Sequence, residues 1–346
     1  MSRIFMVGFE IPGLNAEMPP LAMNYRTWQV TKPLLDDGHE IYLCAKANRS
    51  GQPVGMTEPI RIGKLTYDRV DFNQAGWVSS VNRRLNAFKP DCMVAVSFLC
   101  SVYATRLHTD QPMWMDIYGE NLSENQLSMA AQKSDRGYLA SRWFDRAVLR
   151  RGDMFSVCSS PQKYALVGRL AALGRLSRHT LGYDFVQTIL PGILPPWEGV
   201  QKNTPLGLQP AILRGKIIQP DDFAVLWCGS YNTWVDFDVL FNGLAAAMQQ
   251  NPKIVFVSVG SYTVNAEAYQ RFEDQINQSP FRERFKLLGR RPFSETPSLY
   301  RESNCGISVD RDVYEARLGT RTRLVDMAAT GLPVVTSDAC ELSQLM

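Results

Sequence analysis

The sequence predicts an α/β protein with two domains, each built around a mostly parallel sheet. Short apolar runs that close on glycine, cysteine or serine alternate with helical segments along the chain, a pattern typical of parallel strands connected by helices. The alternation stops once, in the proline-rich stretch 195–222, and then starts again. A length of 346 residues exceeds the usual size of a single core. We therefore expect two Rossmann-like domains, with the boundary between residues 198 and 199.

The predicted first domain, 1–198, contains apolar runs that we interpret as strands. They cover 3–8, 40–44, 92–97, 113–118, 154–158 and 187–190. Between the first two runs a helical pattern ends at Gly38, because glycine readily adopts the left-handed conformation that closes a helix. Another helix is expected to begin at Ser160, whose side chain can cap it, with Pro161 in its first turn.

The predicted second domain, 199–346, repeats the same pattern after the linker. Its strands are expected at 224–228, 253–259, 285–288, 306–309 and 332–336, and its helices at 236–250, 266–277, 295–303 and 320–330. In open parallel sheets, ligands bind beyond the carboxyl ends of the strands. We therefore expect a binding cleft where those ends of the two domains face each other.

The most specific motif is RTRLVDMAATGLPVVT at 321–336, which predicts a helix, a glycine stop and a strand that begins at a proline. It resembles the donor-site signature of the family-4, or group 1, retaining glycosyltransferases, in which two acidic residues precede a Met-Ala-x-Gly-Leu-Pro-Val-Val run. The resemblance covers nearly the whole chain and implies a GT-B fold. It places Asp326 at the second acidic position, where the family's carboxylate holds the ribose hydroxyls by accepting two hydrogen bonds.

The first acidic position of that signature falls on Leu318, which cannot bind a sugar hydroxyl. We therefore expect a divergent subgroup in which Glu315 contacts the sugar. Arg321 or Arg323 would bind the diphosphate, because a planar guanidinium fits phosphate oxygens. The alternative is that these arginines only solvate the start of a helix. That alternative is the weaker one, since cations at a helix N-terminus oppose the helix dipole.

A second motif, WCGSYNTWVD at 227–236, follows the first predicted strand of the second domain. In GT-B transferases a glycine-rich loop at this point presents backbone amides to the donor diphosphate, which implies that role for Gly229 and Ser230. Trp234 and Asp236 resemble a Trp-x-Asp element of a bacterial subgroup, although Trp234 could equally be a packing residue. The arginine and lysine that many relatives carry here are absent, which leaves the phosphate to the arginines of the first motif.

In the first half, the motif DIYGENLSENQ at 116–126 follows a predicted buried strand and also resembles that subgroup. Polar residues packed this densely after a buried strand are more often functional than structural. We expect Asp116 and Glu120 to be catalytic, with Asp116 orienting the acceptor or supporting the leaving sugar. The alternative for Asp116 is a structural role in capping the loop.

The sequence gives no sign of a metal site or of a bound cofactor. The seven cysteines include no Cys-x-x-Cys pair, and His39, His108 and His179 lie far apart. No Gly-x-Gly-x-x-Gly follows the first strand, which argues against a simple NAD enzyme. We expect a metal-independent protein whose only nucleotide ligand is a nucleotide-diphosphate sugar, the donor substrate.

Charge is concentrated in one region of the chain. The net charge of +3 is too small to predict nucleic-acid binding. Arg142, Arg146 and Arg150 recur every four residues and should form one basic helix face, with Trp143, Phe144, Ala147 and Val148 opposite. That face is either simply solvated or meets an anionic membrane or a phospholipid-linked acceptor. No apolar run reaches the ~20 residues that cross a bilayer, so we expect a cytoplasmic protein, peripheral to the inner face of the membrane if it contacts one.

These motifs predict an enzyme that transfers a hexosyl unit with retention from a nucleotide-diphosphate sugar to a glycan or lipid-linked acceptor, as in the synthesis of bacterial cell-surface polysaccharides. Two alternatives remain open: a sugar-nucleotide epimerase of the same fold, and a non-catalytic protein that binds a nucleotide sugar or a partner protein. The resemblance also implies that the second domain stops before this fold is normally finished. We therefore expect exposed apolar surface near Val334, Val335 and Leu342.

Overall fold

A computed structural model of the chain describes residues 1–12, 14, 21–47, 58–193, 211–261 and 266–346. The chain divides into two compact units. The first contains 1–122 and 137–200, and the second contains 123–136 and 201–346. The predicted domain boundary at 198/199 and much of the predicted linker lie outside the described residues.

The first part of the chain alternates strands and helices from its first residues onward. In order, the elements are β1 (Arg3–Phe9), α1 (Ala22–Asp36), β2 (Glu40–Lys46), β3 (Ile60–Ile62), β4 (Leu65–Val70), α2 (Trp77–Phe88), β5 (Cys92–Val96), α3 (Phe98–Ala104), β6 (Met113–Ile117), α4 (Asn121–Gln132), α5 (Tyr138–Arg151), β7 (Met154–Val157), α6 (Ser160–Ala172) and β8 (Val186–Thr188).

The described residues of the first unit form an eight-stranded sheet in the order β3-β4-β2-β1-β5-β6-β7-β8. Every pairing is parallel except that of β3 with β4. Successive residues of β1 enter different cores, with Phe5 and Val7 in one and Ile4 and Met6 in the other. Because both faces of the strand are buried, the sequence shows a continuous apolar run rather than an alternating one.

The second part of the chain repeats this arrangement. Its elements are β9 (Phe223–Cys228), α7 (Phe237–Gln250), β10 (Ile254–Val259), α8 (Ala266–Gln278), a 3₁₀ turn (Arg282–Arg284), β11 (Phe285–Leu287), a 3₁₀ turn (Phe293–Glu295), α9 (Thr296–Glu302), β12 (Cys305–Ser308), α10 (Tyr314–Leu318), α11 (Thr322–Ala329), β13 (Val334–Thr336) and α12 (Glu341–Leu345).

The described residues of the second unit form a five-stranded parallel sheet in the order β11-β10-β9-β12-β13. Taken in chain order, this is the 3-2-1-4-5 arrangement of a Rossmann half, so the strand order reverses between β9 and β12. Val225 and Trp227 of β9 enter one core and Leu226 enters the other. Ligands of such a sheet bind at the carboxyl ends of the two strands that flank the reversal.

Most predicted elements lie where the sequence placed them, within two or three residues. The predictions missed β3, β4, α10 and α12, which are short or carry polar residues within the element. Gly38 adopts a positive φ of 84° beyond the end of α1, as expected. The cap of α6 is Ser159 rather than Ser160, since the Ser159 side chain accepts a hydrogen bond from the backbone N–H of Gln162.

The C-terminal strand β13 forms one edge of the second sheet. The side chain of Val335 is 58% exposed, which confirms the predicted apolar exposure at that residue. Val334 and Leu342 are partly buried. The apolar surface predicted at this end of the chain is therefore limited to the outward face of the edge strand and to Leu345 and Met346.

Candidate functional site

Two glycine-containing loops meet at the carboxyl ends of β9 and β10. The backbone N–H of Gly229 donates to the carbonyl of Val259, and that of Gly260 donates to the carbonyl of Gly289, two residues after β11. Gly229 and Gly260 have φ values of +126° and +142°. A Cβ atom at Gly260 would lie 2.0 Å from the carbonyl oxygen of Gly229, so only glycine fits there. The result is a surface of bare backbone at the end of the central strand.

The loop after β9 is attached to the end of β12 across the reversal of strand order. The backbone N–H of Asp236 donates to Val309 at 3.2 Å, and that of Arg311 donates to Trp234 at 2.8 Å. The Asp236 carboxylate caps α7 by accepting the N–H of Val239 at 3.0 Å. The structure therefore gives Asp236 a helix-capping contact, and its predicted contact with the donor stays a prediction.

Arg321 lies at the centre of a buried ion cluster. Its Nε donates to Asp310 at 2.7 Å, and its two terminal nitrogens donate to the two carboxylate oxygens of Glu315 at 3.2 and 2.7 Å. Burial alone would lower the pKa of Arg321, but the contacts with Asp310 and Glu315 outweigh it and raise that pKa. The guanidinium also lies over the ring of Trp234, 4.9 Å from its centroid. The charge of Arg321 is balanced by Asp310 and Glu315, and its N–H groups donate to these carboxylates.

Glu315, the residue predicted to contact the sugar, is almost completely buried in this cluster. Its backbone carbonyl accepts the N–H of Gly319, and a Cβ at Gly319 would lie 2.7 Å from that carbonyl. Glu315 thus closes the turn between α10 and α11 while its carboxylate holds Arg321. A direct contact of Glu315 with the sugar stays a prediction, and its observed contacts are those of a residue that positions α11.

Arg323 differs from Arg321 in having no carboxylate within ion-pair distance among the described residues. Its guanidinium stacks on Trp227, 4.0 Å from the ring centroid, and donates one hydrogen bond to the carbonyl of Ser230 at 2.9 Å. It lies directly against the glycine loop, because a Cβ at Gly229 would be 3.3 Å from its Nη2 atom. Burial lowers the pKa of Arg323. Arg323 is therefore a partly buried cation whose guanidinium lies against the backbone of the glycine loop.

The support of Arg323 is a stack of aromatic rings. Trp227, which is fully buried, stacks on Tyr231 with ring centroids 4.7 Å apart and planes 3° from parallel. The indole N–H donates to the carbonyl of Gly229, and the Tyr231 hydroxyl bonds to Ser258. The stack fixes the plane of the guanidinium, because an arginine over an indole face gains from both the charge and the flat contact.

Asp326 lies three residues after Arg323 on α11, so the two side chains share one face of the helix. They do not form an ion pair, and no cation lies within ion-pair distance of Asp326 among the described residues. Burial raises the pKa of Asp326 from an ordinary 3.8 to about 6. The sign of this shift shows a carboxylate that has lost water without gaining a compensating partner.

A further arginine lies along the same edge of the sheet. The Nε of Arg290, just beyond β11, donates to the hydroxyl of Ser261 at 2.8 Å. The carbonyl of Ser261 in turn accepts the N–H of Tyr231 in the glycine loop. The carboxyl ends of these strands therefore present the backbone of the glycine loop, two guanidinium groups and one carboxylate, a set that suits an anionic ligand carrying hydroxyl groups.

In the first unit, Asp116 ends β6 in full burial. Arg26 of α1 donates to both of its carboxylate oxygens, at 3.0 and 2.7 Å, and the hydroxyl of Ser156 donates to it at 2.5 Å. Arg26 also lies over the ring of Tyr118 at 5.2 Å. These contacts join Asp116 to α1 and to the neighbouring strand β7, and they do not test the alternative that Asp116 caps the loop. A catalytic role is not tested by them and stays a prediction.

Glu120 is also buried and ion-paired. Arg169 of α6 contacts the carboxylates of both Glu120, at 2.8 Å, and Asp145, at 2.6 Å. The side-chain amide of Gln162 donates to the carbonyls of Ile117 and Gly119, which fixes the loop after β6 on α6. The loop that carries Asp116 and Glu120 is thus held by groups that are distant in the sequence. The predicted catalytic role of Glu120 stays a prediction.

The described residues contain no group of three or more side chains that could hold a metal ion. Within the same ranges, no helix is long and apolar enough to cross a membrane.

Residues 222–346 match the family model described as glycosyl transferases group 1. The matched segment makes up most of the second unit, which is therefore similar to the group 1 glycosyl transferases. The match covers the glycine loop, Arg321, Arg323 and Asp326, and it confirms the resemblance inferred from the sequence motif. Comparison with curated protein sequences found no significant match.

Solved structures confirm that the chain has the predicted GT-B fold. It is similar to sucrose-phosphate synthase from Thermosynechococcus elongatus, with a TM-score of 0.64 and 15% identity, over 99% of this chain and 83% of that one. It is also similar to HepE from Anabaena in complex with UDP-glucose, with a TM-score of 0.63 and 14% identity, over 100% of this chain and 83% of that one. A third is WaaG, a glycosyltransferase involved in lipopolysaccharide biosynthesis, with a TM-score of 0.59 and 12% identity, over 99% and 83% of the two chains.

Sequence reasoning missed several residues that shape the two candidate sites. Asp310 follows a buried strand directly, and that position could have marked it. Trp227 and Gly260 lie inside or just after apolar runs and give no comparable signal. Arg26 and Arg169 lie in helices far along the chain from their partners, so only the fold reveals what they hold.

Proposed function

We propose that the protein is a retaining, metal-independent glycosyltransferase that binds a nucleotide-diphosphate sugar at the carboxyl ends of β9, β10 and β12. The transferred unit is a hexose. In this site Gly229 and Ser230 present backbone to the diphosphate, Arg323 binds its charge, and Asp326 holds the ribose hydroxyls.

One observation carries the proposal: Arg323 and Asp326 share a helix face beside the glycine loop, yet neither pairs with the other nor with any described group of opposite charge. Charged side chains that lose water without a partner destabilise the folded state. A ligand with a diphosphate and vicinal hydroxyls supplies the two partners that are missing.

The arrangement suits the chemistry of glycosyl transfer. As the bond between the anomeric carbon and the phosphate oxygen breaks, negative charge grows on the departing diphosphate. Arg323 is already oriented by Trp227 and Ser230, so it stabilises that charge without reorganising during the reaction. Arg321 supports the site by binding Asp310 and Glu315, which both lie in the segment between β12 and α11.

Two of the similar structures support the choice of ligand class. HepE is described in complex with UDP-glucose, and WaaG is described as acting in lipopolysaccharide biosynthesis. We propose a nucleotide sugar as donor and a glycan or lipid-linked glycan as acceptor, in the synthesis of a bacterial cell-surface polysaccharide. The cytoplasmic location predicted from the sequence belongs to the same proposal.

A non-catalytic protein that binds a nucleotide sugar is the second candidate. It is favoured by Leu318 at the first acidic position of the signature and by the engagement of Glu315 with Arg321. With no carboxylate free at that position among the described residues, the sugar would be bound less firmly than the nucleotide.

Donor turnover, measured with and without an acceptor, separates these functions. Ribonucleoside diphosphates are first ranked by thermal shift, because a ligand that binds only the folded state raises the melting temperature. The matching nucleotide sugars are then assayed against lipid-linked and soluble glycans. Acceptor-dependent release of nucleotide supports the transferase. Conversion of the sugar without an acceptor would indicate an epimerase, and binding without turnover would indicate the non-catalytic protein.

The variant Arg323→Ala tests the donor site itself. We expect nucleotide-diphosphate affinity to fall by about 1.5–3 kcal/mol, the usual size of a charge-assisted hydrogen bond, with little loss of stability. The exposed Arg282, which contacts only the neighbouring Glu283 by its side chain, provides the control variant Arg282→Ala. Unchanged affinity in Arg323→Ala by calorimetry would remove the phosphate-binding role.

A further inference from the structure

Helix α5 carries large apolar side chains on its solvent side. Leu139 is 76% exposed and Trp143 is 67% exposed, while Tyr138 and Phe144 are 47% and 37% exposed. The buried residues of the helix, Asp145, Val148 and Leu149, all lie in its C-terminal half. Exposing a tryptophan and a leucine together on one helix is unfavourable in water and suggests that another surface covers them.

The exposed charges of α5 are all positive. Arg142, Arg146 and Arg150 are exposed, and the one acidic residue of this helix, Asp145, is buried against Arg169. No negative side chain of α5 therefore offsets its arginines at the surface. The guanidinium of Arg142 also lies over the Tyr138 ring, 5.6 Å from its centroid.

The structure corrects the sequence-based view of this helix. Trp143 was expected on the face opposite the arginines, but it lies on the same exposed side, because a step of 100° per residue places it next to Arg150 and one turn from Leu139. The exposed ridge thus runs Leu139, Trp143, Arg146, Arg150. Apolar and basic side chains therefore share one side of the helix, with the apolar pair nearer its N-terminal end, instead of occupying two sides.

The loop that packs beside the C-terminal end of α5 also exposes large apolar side chains. The Nη1 of Arg175 donates to the carbonyls of Leu149 and Gly152, which holds the loop against the helix. Within it, Leu181 is 92% exposed and Tyr183 is 51% exposed. Two sets of exposed apolar side chains therefore flank one cluster of arginines.

We propose that the surface formed by α5 and the 176–183 loop, here called the α5 surface, binds the face of an anionic lipid bilayer. Tryptophan and leucine would enter the boundary between headgroups and acyl chains, and the arginines would contact lipid phosphates. Charge complementarity selects this occupant: a surface with several arginines repels a second copy of itself, while anionic lipid satisfies all of them at once. A solvated helix face would not need the exposed tryptophan.

This inference deepens the proposed function and rests on it for its purpose, since a lipid-linked acceptor is reached only at a membrane. The binding itself does not depend on catalysis. The two can therefore fail separately: nucleotide affinity tests the donor site in the second unit, and vesicle binding tests α5 in the first.

The test is flotation of the full-length protein with lipid vesicles. One vesicle contains only phosphatidylcholine, and the other also contains phosphatidylglycerol. We expect binding to the anionic vesicles that weakens as salt rises, because exposed charge pairs are screened. The variant Arg142→Glu/Arg146→Glu should weaken this binding about tenfold or more, since each basic residue near an anionic surface contributes about 1 kcal/mol. Leu139→Ser/Trp143→Ser should weaken it at every salt concentration.

Matched controls change exposed residues of the same types elsewhere. Ile60→Ser removes an apolar side chain that is 57% exposed, and Arg282→Glu reverses an exposed charge in the second unit. Both should bind vesicles as the wild type does, and every variant should retain its nucleotide affinity. Three results would overturn the proposal: no binding of the wild type to anionic vesicles at low salt, equal binding to both vesicles, or equal losses in the controls. A change in oligomeric state of the Leu139→Ser/Trp143→Ser variant without vesicle binding would assign the α5 surface to a second copy instead.

Discussion

The carboxylate of Asp326 should reduce the stability of the protein while it contributes to ligand binding. Burial raises its pKa from 3.8 to about 6, and no cation contacts it among the described residues. One pKa unit corresponds to ~1.4 kcal/mol, so ionising this group in the folded protein costs up to roughly 3 kcal/mol. Water reaches part of the side chain and screens part of that cost. We expect Asp326→Asn to raise the free energy of unfolding at neutral pH by about 1–2 kcal/mol.

The pH dependence of this effect follows from the direction of the shift. The folded protein binds the Asp326 proton more tightly than the unfolded chain does, because the folded pKa is the higher one. The wild type is therefore relatively most stable below about pH 4, loses stability as pH rises towards about 6, and loses no more from this group above that. Asp326→Asn lacks this dependence, so the gain should vanish in acid and be complete near neutral pH.

Urea unfolding of the two proteins at a series of pH values measures this difference. The exposed Asp110 forms no ion pair or side-chain hydrogen bond within the part of the chain that the structure describes, and it supplies the control variant Asp110→Asn, which should leave the free energy of unfolding unchanged. Calorimetry then compares a ribonucleoside diphosphate with its 2′,3′-dideoxy analogue. Asp326→Asn should weaken binding of the first much more than of the second.

Two results would refute this reasoning. A loss of stability in Asp326→Asn at neutral pH would mean that the carboxylate has a structural partner. Equal losses of affinity for the ribose and dideoxy ligands would mean that it does not contact the ribose hydroxyls. A more stable variant with weaker binding is the combination expected of a group kept for function.

Three further predictions follow from the contacts of single side chains. Arg321→Ala should destabilise the protein by about 3–5 kcal/mol, because it leaves two buried carboxylates without their cation, and denaturant unfolding measures this. Trp227→Leu should lower diphosphate affinity about tenfold, since the stack contributes on the order of 1–2 kcal/mol. Trp227→Phe keeps an aromatic face under Arg323 and should lower that affinity less. Calorimetry with inorganic pyrophosphate measures both affinities. Ser97→Gly should raise the melting temperature, because Ser97 has a φ of 80° and a ψ of 156°, a conformation that costs a non-glycine residue ~1–3 kcal/mol.

Each of these predictions has a specific contrary result. An Arg321→Ala protein as stable as the wild type would show that the cluster relaxes without its cation. Equal pyrophosphate affinity in both Trp227 variants and the wild type would show that Arg323 is positioned by Ser230 alone. A lower melting temperature in Ser97→Gly would show that the serine hydroxyl makes a contact worth more than the backbone strain.

The sequence was sufficient for the fold because the relevant signals are local. A parallel strand buried on both faces, such as β1 or β9, is a continuous apolar run bounded by glycine or a polar residue, and each run is readable by itself. Short elements with mixed composition, such as β3 and α10, lack such a run and were missed. The glycine loop and Asp326 were also readable, since a strand end and a family motif mark them in the chain.

The sequence could not show that Arg321 and Arg323 make different contacts. Both arginines lie in one motif, two residues apart, and both are suited to phosphate. Arg321 precedes α11 with an extended backbone, whereas Arg323 lies in the first turn of that helix. Arg321 therefore meets Asp310 and Glu315, while Arg323 meets Trp227 and the carbonyl of Ser230. Which arginine remains available to a ligand depends on which carboxylates lie nearby.

The same holds for Asp116 and for α5. The sequence determined that Asp116 lies near the end of a buried strand and that arginines recur along one helix. Only the tertiary structure showed that Arg26, ninety residues earlier in the chain, occupies the Asp116 carboxylate, and that Trp143 lies exposed among the arginines of α5. A chain pattern fixes which residue types occur at which spacing. Whether a charged side chain has a partner, and whether an apolar side chain is buried, depends on groups that folding brings to it from distant positions in the chain. Only the tertiary structure decides this.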